Sequence, residues 1–524
     1  MRPRSSDLLL LSLPLLLLAA VLLAVRPVPA EDACILFRYA DHLAAGHGIV
    51  WNIGEDPVEG ATEFLWLLIL AGASSLGMPL LSGAPWLGMG IAAGAAILLY
   101  AGARRVMEAG PPAVLAVSLA FGGSTAALHA GTGFGTPLYT LLLLAAFLLA
   151  WRLMTGPPSE RAERALPAVV LLLALARPEG VAMGCALYVA LWILRPSVFG
   201  KRFLARQALL LVLPGLAYFA WRWWYFGFPL PNTFYVKSSE GWLNHASAAR
   251  IARFSVRFCA APLLLGLLWL PRAPAQKRRA WLALAGVALF GMLLYLKFAM
   301  IQDLGFRFLF PSFAALLLLS APALDGLLPR LREKSLGPAS AASAALALVL
   351  AASGPWMVRA SGYRGAFDDR YTIGVLLSEL AAARPTMVAT EAGYLPYLSR
   401  WRAVDPFGLN DEHIAHHGLT QDYLFSQSPD LVMFHVDTPH YAERWTPPGA
   451  DRWEEMTKLL HRFTGANGYE LAGVIPKSGR PEDGYHWYFC RSGADPRLFE
   501  IIREEALARS APAAEGALAL PPSQ

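Results

Sequence analysis

The chain has 524 residues, 56% of them hydrophobic and 16% charged, and is too apolar for a water-facing surface, which normally carries about 25% charged residues. The net charge of +6 does not signal a nucleic-acid partner, because the lysines and arginines sit in short clusters between apolar runs and form no single basic face. Cys34, Cys185, Cys259 and Cys490 have no repeated spacing, which argues against a disulfide framework or a zinc site. The composition is that of a mainly α, polytopic transmembrane helix bundle.

In chain order, Arg2 and Arg4, an apolar stretch over 8–25 and then Val28-Pro29-Ala30 imitate a secretory signal. About eighteen apolar residues exceed an h-region and can cross the hydrocarbon core, so the stretch reads as an uncleaved signal-anchor. The first outer loop with its juxtamembrane helix occupies 31–85. Its apolar piece, 64–76, is short and follows Glu59 and Glu63, which suits a helix lying at the interface. Further spans fall at 86–103, 113–128, 136–153, 165–176, 180–194, 203–221, 254–270, 280–298, 308–328 and 339–356. With the first, they make about eleven.

Charge supports this path. Arg2/Arg4, Arg104/Arg105, Arg152/Arg161/Arg164, Arg195/Lys201/Arg202/Arg206, Arg272/Lys277/Arg278/Arg279 and Arg330/Arg332/Lys334 occur at every second connection, which places them and the N-terminus in the cytoplasm. Counting 64–76 as a span would put Arg104 and Arg105 outside. The stretch 165–176 is short. A hairpin turning at Arg177-Pro178-Glu179 is preferred to one long helix, because each charge buried at the bilayer centre costs about 2.5–3.5 kcal/mol.

The membrane domain therefore covers 1–357. From 358 to 510 polar and apolar residues mix without a further span. Short β-type runs at 386–390, 402–404, 430–435, 470–475 and 485–490 alternate with helix-like stretches at 373–383 and 453–463, as in a small extracytoplasmic α/β domain. That domain is suited to bind glycan or to cover the membrane site. His413, His416 and His417 have helical metal-ligand spacing, but with no fourth ligand evident they read as a solvated face. Residues 511–524, rich in Ala and Pro, read as a disordered tail.

This topology gathers the reactive side chains on the outer face. The first loop brings Glu31, Asp32, Arg38, Asp41, His42, His47, Asn52, Glu55, Asp56, Glu59 and Glu63; later loops bring His129, Arg177, Glu179, Asn232, Lys237, Asp303 and Arg307. Any one of them alone is more often a snorkelling anchor or a helix cap. Together, carboxylates that accept a proton, cations that hold a phosphate and a membrane floor suit a lipid-linked substrate.

A first outer loop opening on an acidic pair, Glu31-Asp32, followed by a juxtamembrane helix, resembles GT-C class glycosyltransferases, which use polyprenyl-phosphate-linked sugars. EDACILFRYADHLAAGHGIVWNIGEDPVEGATEFLW looks like the family that includes the mycobacterial terminal β-(1→2) arabinofuranosyltransferase and the flagellar motor control proteins. Further similarity lies in ARPEG, RWWYFGFPLPNTFYVK, QDLGFRFLFP and TEAGYLPYLSRWRAVDPFGLNDEHIA. Two positions depart from that pattern: Glu31 stands where the family usually has aspartate, and Gly135 where it usually has glutamate.

The resemblance implies a GT-C-like bundle that transfers a sugar, an arabinofuranose or another pentose, from a polyprenyl-phosphate donor to a cell-envelope glycan or glycolipid on the outer face of the bacterial inner membrane. A phosphate leaving group needs little protonation, so one base and a cationic cradle suffice. Asp32 is the expected base, with Glu31 orienting the acceptor or binding a cation; a divalent cation is compatible with the site and no other cofactor is implied. Arg38, Lys237 and Arg307 are the expected donor-phosphate contacts. His47, Asn52, Glu59, Arg177, Glu179, Asn232, Asp303 and Glu391 are expected to contact substrate, Asp303 having a second reading as the ion-pair partner of Arg307. Two other functions remain open at this level: a non-catalytic assembly or motor-control factor on the same scaffold, and a lipid or glycan transporter.

Topology is open to direct measurement. Reporter fusions after Arg105, Arg164, Arg202, Arg279 and Lys334 are expected to report the cytoplasm, and fusions after Glu59, His129, Lys237 and Asp368 the outside. A cytoplasmic signal at Asp368 would overturn this orientation.

Overall fold

The computed structural model describes residues 5–237, 243–327, 349, 352–363, 365, 367–440, 451–477 and 480–510. These form two compact units: Met1–Ile49 with Ala61–Gly365, and Val50–Gly60 with Ala366–Gln524. Val50–Gly60, expected within a first outer loop, packs with the C-terminal residues in the second unit.

The first unit is helical: α1 Ser5–Val25, α2 Ala33–Ala44, α3 Phe64–Ser75, α4 Leu80–Arg105, α5 Pro111–Gly122, α6 Ala126–Gly131, α7 Thr136–Thr155, α8 Glu160–Ala176 and α9 Glu179–Leu194. These are followed by α10 Lys201–Phe226, α11 Asn232–Lys237, α12 His245–Arg272, α13 Ala275–Leu296 and α14 Leu304–Leu327. Among the described residues, six helices are long and apolar enough to cross a membrane: α4, α7, α10, α12, α13 and α14. Shorter apolar helices lie at Leu9–Val25, Phe64–Ser75, Pro111–Gly122 and Glu179–Leu194. Most of the expected span 339–356, the cluster Arg330/Arg332/Lys334 and the tail 511–524 fall outside the described residues.

Helix ends follow local chemistry. Arg177 precedes Pro178, a position held out of the α region by the proline ring, and its extended backbone separates α8 from α9. The chain therefore turns at the expected hairpin. α3 has 12 residues and a length of about 18 Å, too short for the hydrocarbon core; the Ser74 hydroxyl donates to Asp41 Oδ1 (2.6 Å), tying α3 to α2. Large apolar side chains face outward on the long helices, Trp224 at 79% and Leu213 at 57% exposure, a distribution that suits lipid contact.

In the second unit the described residues form a five-stranded sheet in the order β2-β1-β3-β5-β4. The strands are β1 Thr386–Ala389, β2 Arg402–Val404, β3 Leu431–Val436, β4 Tyr469–Pro476 and β5 Tyr485–Arg491, each within one or two residues of its expected run. β2, β1 and β3 are parallel, while β5 runs antiparallel to β3 and β4. Val388, Val432 and Phe434 of the strands lie in the core with Leu460 of the helix over Arg452–Ala466, as expected where helices cover parallel strands. Helices α15 Asp369–Leu377, α16 Arg452–Ala466 and α17 Pro496–Ser510 accompany the sheet.

β2 is an edge strand, and an unpaired edge is a liability. The segment Val50–Gly60 covers it. Asn52 Nδ2 donates to Ala403 O (3.0 Å), Asn52 Oδ1 accepts from Ala403 N (3.0 Å), and Trp51 Nε1 donates to Ala403 O (2.8 Å). Glu55 Oε1 accepts from Arg402 Nε (2.6 Å). Asn52→Ala is expected to strand the Ala403 N–H and to cost about 1–3 kcal/mol, measured as faster amide exchange across 402–404 and a lower Tm.

Candidate functional site

In the first unit, loops between helices bring opposite charges together out of water. Arg177, between α8 and α9, is buried. Its Nε lies 2.7 Å from Glu179 Oε1 and its guanidinium 3.7 Å from Glu63 Oε1. Tyr295, at the end of α13, donates its hydroxyl to Glu179. Glu63, just before α3, accepts from the Gly135 backbone N–H through its other oxygen (2.7 Å). Arg177 thus sits between two carboxylates that neighbouring elements hold in place.

Arg307 is arranged differently. It follows the short turn at Leu304–Phe306, where Gly305 has φ +63° and a Cβ would meet Leu128 and His129. Its guanidinium carbon lies 3.7 Å from the Phe134 ring centroid and 4.7 Å from that of Phe308. Arg177 rests 5.0 Å from the same Phe308 ring. Arg307 is 7% exposed, yet among the described residues its guanidinium has no carboxylate within ion-pair distance, and its buried Nε makes no hydrogen bond. Asp32, Glu63 and Asp303 act on it only as neighbouring charges. Asp303 pairs instead with Arg250 (3.3 Å) and accepts from the Phe308 N–H (3.2 Å), so its expected pairing with Arg307 is not the one formed.

The loop before α7 makes room for this cluster. Gly133 has φ +82°, and a Cβ there would strike Phe37 and Ala33 of α2; its carbonyl accepts from Trp66 Nε1 (2.8 Å). A Cβ on Gly135 would lie 3.0 Å from Glu63 Oε2 and 2.9 Å from Trp66 Cβ. The Glu63 carboxylate therefore occupies space that a side chain at 135 would need.

The other expected site residues are distributed as follows. Asp32, half-buried, stands at the start of α2; Glu31 and Arg38 beside it are buried and engaged. Asn232 and Lys237 sit on α11, both engaged, the first buried and the second half-buried. His47 is exposed, its ring edge-on to His42 at 6.4 Å. Asn52, Glu59 and Glu391 belong to the second unit, where Asn52 covers β2. Glu63 and His129, which the sequence marks only as loop residues, and Tyr295, which carries no sequence signal, all enter the cluster. Burial of Glu63 beside an arginine has no signature in its own segment.

The second unit holds a separate buried cluster. His486 Nδ1 lies 2.8 Å from both Asp369 oxygens and its Nε2 2.7 Å from Glu391 Oε2. Tyr488 donates to Asp369 (2.6 Å), Lys477 to Glu391 Oε1 (2.8 Å), and Arg370 pairs with Asp368 and Glu391. Burial alone would raise the Glu391 carboxyl, but Arg370, Lys477 and His486 hold it well below its usual range. Burial likewise opposes charge on His486, yet Asp369 and Glu391 raise its imidazole to about 9. His413 stacks on Tyr423 (4.3 Å) on the surface of this unit.

Gly135→Ala is expected to push on Trp66 and Glu63 and to destabilise the first unit by about 1–3 kcal/mol. Gly90→Ala, where a Cβ meets nothing within 4 Å, should be neutral or slightly stabilising. Thermal unfolding of the two variants in detergent checks the contrast.

Residues 359–488 match a family model described as Domain of unknown function (DUF8728). No curated protein matches the chain. Several solved structures are similar. ArnT from Cupriavidus metallidurans, bound to undecaprenyl phosphate, is 14% identical over 82% of this chain and 93% of its own, with a TM-score of 0.54. The archaeal oligosaccharyltransferase AglB from Archaeoglobus fulgidus, in complex with an inhibitory peptide and a dolichol-phosphate, is 12% identical over 90% of this chain and 79% of its own, with a TM-score of 0.52. The Archaeoglobus fulgidus oligosaccharyltransferase tethered to an acceptor peptide is 13% identical over 89% and 73%, with a TM-score of 0.56. At these identities the likeness is one of fold alone: the structural neighbours are GT-C glycosyltransferases, and the chain shares their fold.

Proposed function

We propose that the chain transfers a sugar from a polyprenyl-phosphate donor to a glycan or glycolipid acceptor on the outer face of the cytoplasmic membrane. In this reading about eleven spans carry the site, the N-terminus is cytoplasmic and the C-terminal unit periplasmic. The observation that carries it is Arg307: a buried guanidinium with aromatic faces around it and no ion-pair partner among the described residues. Leaving such a charge uncompensated costs several kcal/mol, and a phosphate ligand removes that cost. The polyprenyl phosphates bound to the two structural neighbours support the choice of anion. The resemblance to the arabinofuranosyltransferase family favours a pentose, such as arabinofuranose, as the sugar.

In the reaction the acceptor hydroxyl oxygen bonds to the anomeric carbon and gives its proton to Asp32. The bond from that carbon to the phosphate oxygen breaks, and the electron pair leaves with the lipid phosphate. The phosphate gains negative charge as it departs, so Arg307, with Arg38 and Lys237, binds it more strongly in the transition state than in the donor. Glu31 orients the acceptor. Arg177, already neutralised by Glu63 and Glu179, holds the loops around Arg307.

Two variants separate these roles. Asp32→Asn keeps shape and removes basicity, so turnover should fall about 10²-fold or more with donor binding little changed. Arg307→Lys keeps charge and loses the planar fork, so donor affinity should fall about tenfold or more along with rate. Lipid binding and transfer are measured separately on the purified protein in detergent with a synthetic polyprenyl-phosphate sugar. Transfer by Asp32→Asn at the wild-type rate would remove the base and favour the assembly-factor reading.

A further inference from the structure

The sheet of the second unit reverses its winding at one place. β2 lies on one side of β1 and β3 on the other, all three parallel, so the crevice at the carboxyl ends of β1 and β3 is a topological switch point, where open α/β sheets bind ligands. Glu391 follows β1 at this edge. His435 lies near the carboxyl end of β3, and antiparallel pairing sets His486 of β5 directly opposite it. Glu391, His435 and His486 each offer one donor atom, and the three atoms lie within 4.8 Å of one another.

We propose that this edge is a binding site for a divalent transition-metal ion of the zinc type, with Glu391, His435 and His486 as its ligands. The inference stands apart from the glycosyltransfer reading and does not depend on it. Two imidazoles and one carboxylate suit zinc, and three protein ligands leave a position open to water or substrate.

The surroundings fit this use. A metal-ligating histidine characteristically gives its other ring N–H to a carboxylate, which fixes ring and tautomer. Here Asp369 accepts from His486 Nδ1 at 2.8 Å and is itself fixed by the Tyr488 hydroxyl at 2.6 Å. Lys477 and Arg370 orient Glu391. His435 is placed by its backbone N–H, which donates to Thr390 Oγ1 (3.2 Å), and by Gly484, where a Cβ would lie 2.5 Å from the ring. Its Nδ1 is buried and takes no hydrogen bond among the described residues. With neutral histidines, Asp368, Asp369 and Glu391 outnumber Arg370 and Lys477 by one negative charge. A metal ion on His486 Nε2 would take the place of the proton that otherwise bridges it to Glu391. Zinc takes imidazole nitrogen and carboxylate oxygen at about 2.0–2.2 Å, so the three ligands would draw in from their present separations on binding it.

The test uses the full-length protein in detergent, stripped with chelator and titrated with Co2+ and then Zn2+. One equivalent of Co2+ should bind with the intense visible absorption of a four-coordinate site and be displaced by Zn2+, and Zn2+ should raise the Tm of the wild type. His435→Gln should lose that absorption while keeping its circular dichroism. Asp369→Asn should weaken Zn2+ binding about 10–100-fold, and His413→Ala should leave it unchanged. Wild-type protein that takes up no stoichiometric Co2+, or His435→Gln that binds it as wild type does, would overturn the site and leave a proton-bridged ion cluster. The first of these outcomes needs no variant to fold.

Discussion

Two guanidinium groups share one phenylalanine ring in the interior of the first unit, and the loops around them answer to that arrangement. Like charges brought together away from water repel and lose hydration, so each needs compensation of its own. Arg177 has it from Glu63 and Glu179. Those carboxylates are in turn fixed, Glu63 by a backbone N–H at Gly135 and Glu179 by the Tyr295 hydroxyl. The proline break at 178 places Arg177 at a helix junction, where its neighbours can converge on it. Among the described residues Arg307 has no ion pair: beyond the more distant charges of Asp32, Glu63 and Asp303 it has aromatic quadrupoles, worth about 2 kcal/mol when desolvated, less than the cost of burying an unpaired charge. One arginine is thus matched from within by two carboxylates, and the other is buried without an ion pair among the described residues; under the proposed function an anionic donor would meet a charge already in place.

The second unit follows the same rule in another form. Its polar groups are clustered at one sheet edge, beside parallel strands that are otherwise covered on both faces, and each carboxylate there meets a cation or an imidazole. Asp369 begins a helix, where the dipole favours its charge, and it accepts from both His486 and Tyr488. Such a network holds its members in one geometry, because moving any of them strands a buried partner.

Hydrophobic length and turn residues made much of the fold legible. The five strands of the C-terminal unit were visible as short β-rich runs between polar turns, and Arg177-Pro178-Glu179 was visible as a break because proline restricts the residue before it. The number of crossings was less so: α5 and α9 are short apolar helices and α8 has 17 residues, and helix length alone does not say which short helices cross. The packing of Val50–Gly60 with β2 had no local signal, since Asn52 and Trp51 act on a strand some 350 residues away in the chain. Within the candidate site, Arg307 and Arg177 could be singled out as charges among apolar residues. Their different pairing could not, because it depends on which carboxylates the loops bring near.

Gly135 shows how far position in a motif can diverge from position in space. Read along the chain, it is a missing carboxylate, and it weakens the case for an active site. In three dimensions its lack of a side chain is what admits the Glu63 carboxylate, which takes the Gly135 N–H and faces Arg177. A glutamate at 135 together with Glu63 would put two carboxylates in one buried space, where one of them would have to be protonated or expelled. The loop before α7 and the residue before α3 therefore supply one negative charge between them, that of Glu63, and it is held by the Gly135 N–H and turned toward Arg177.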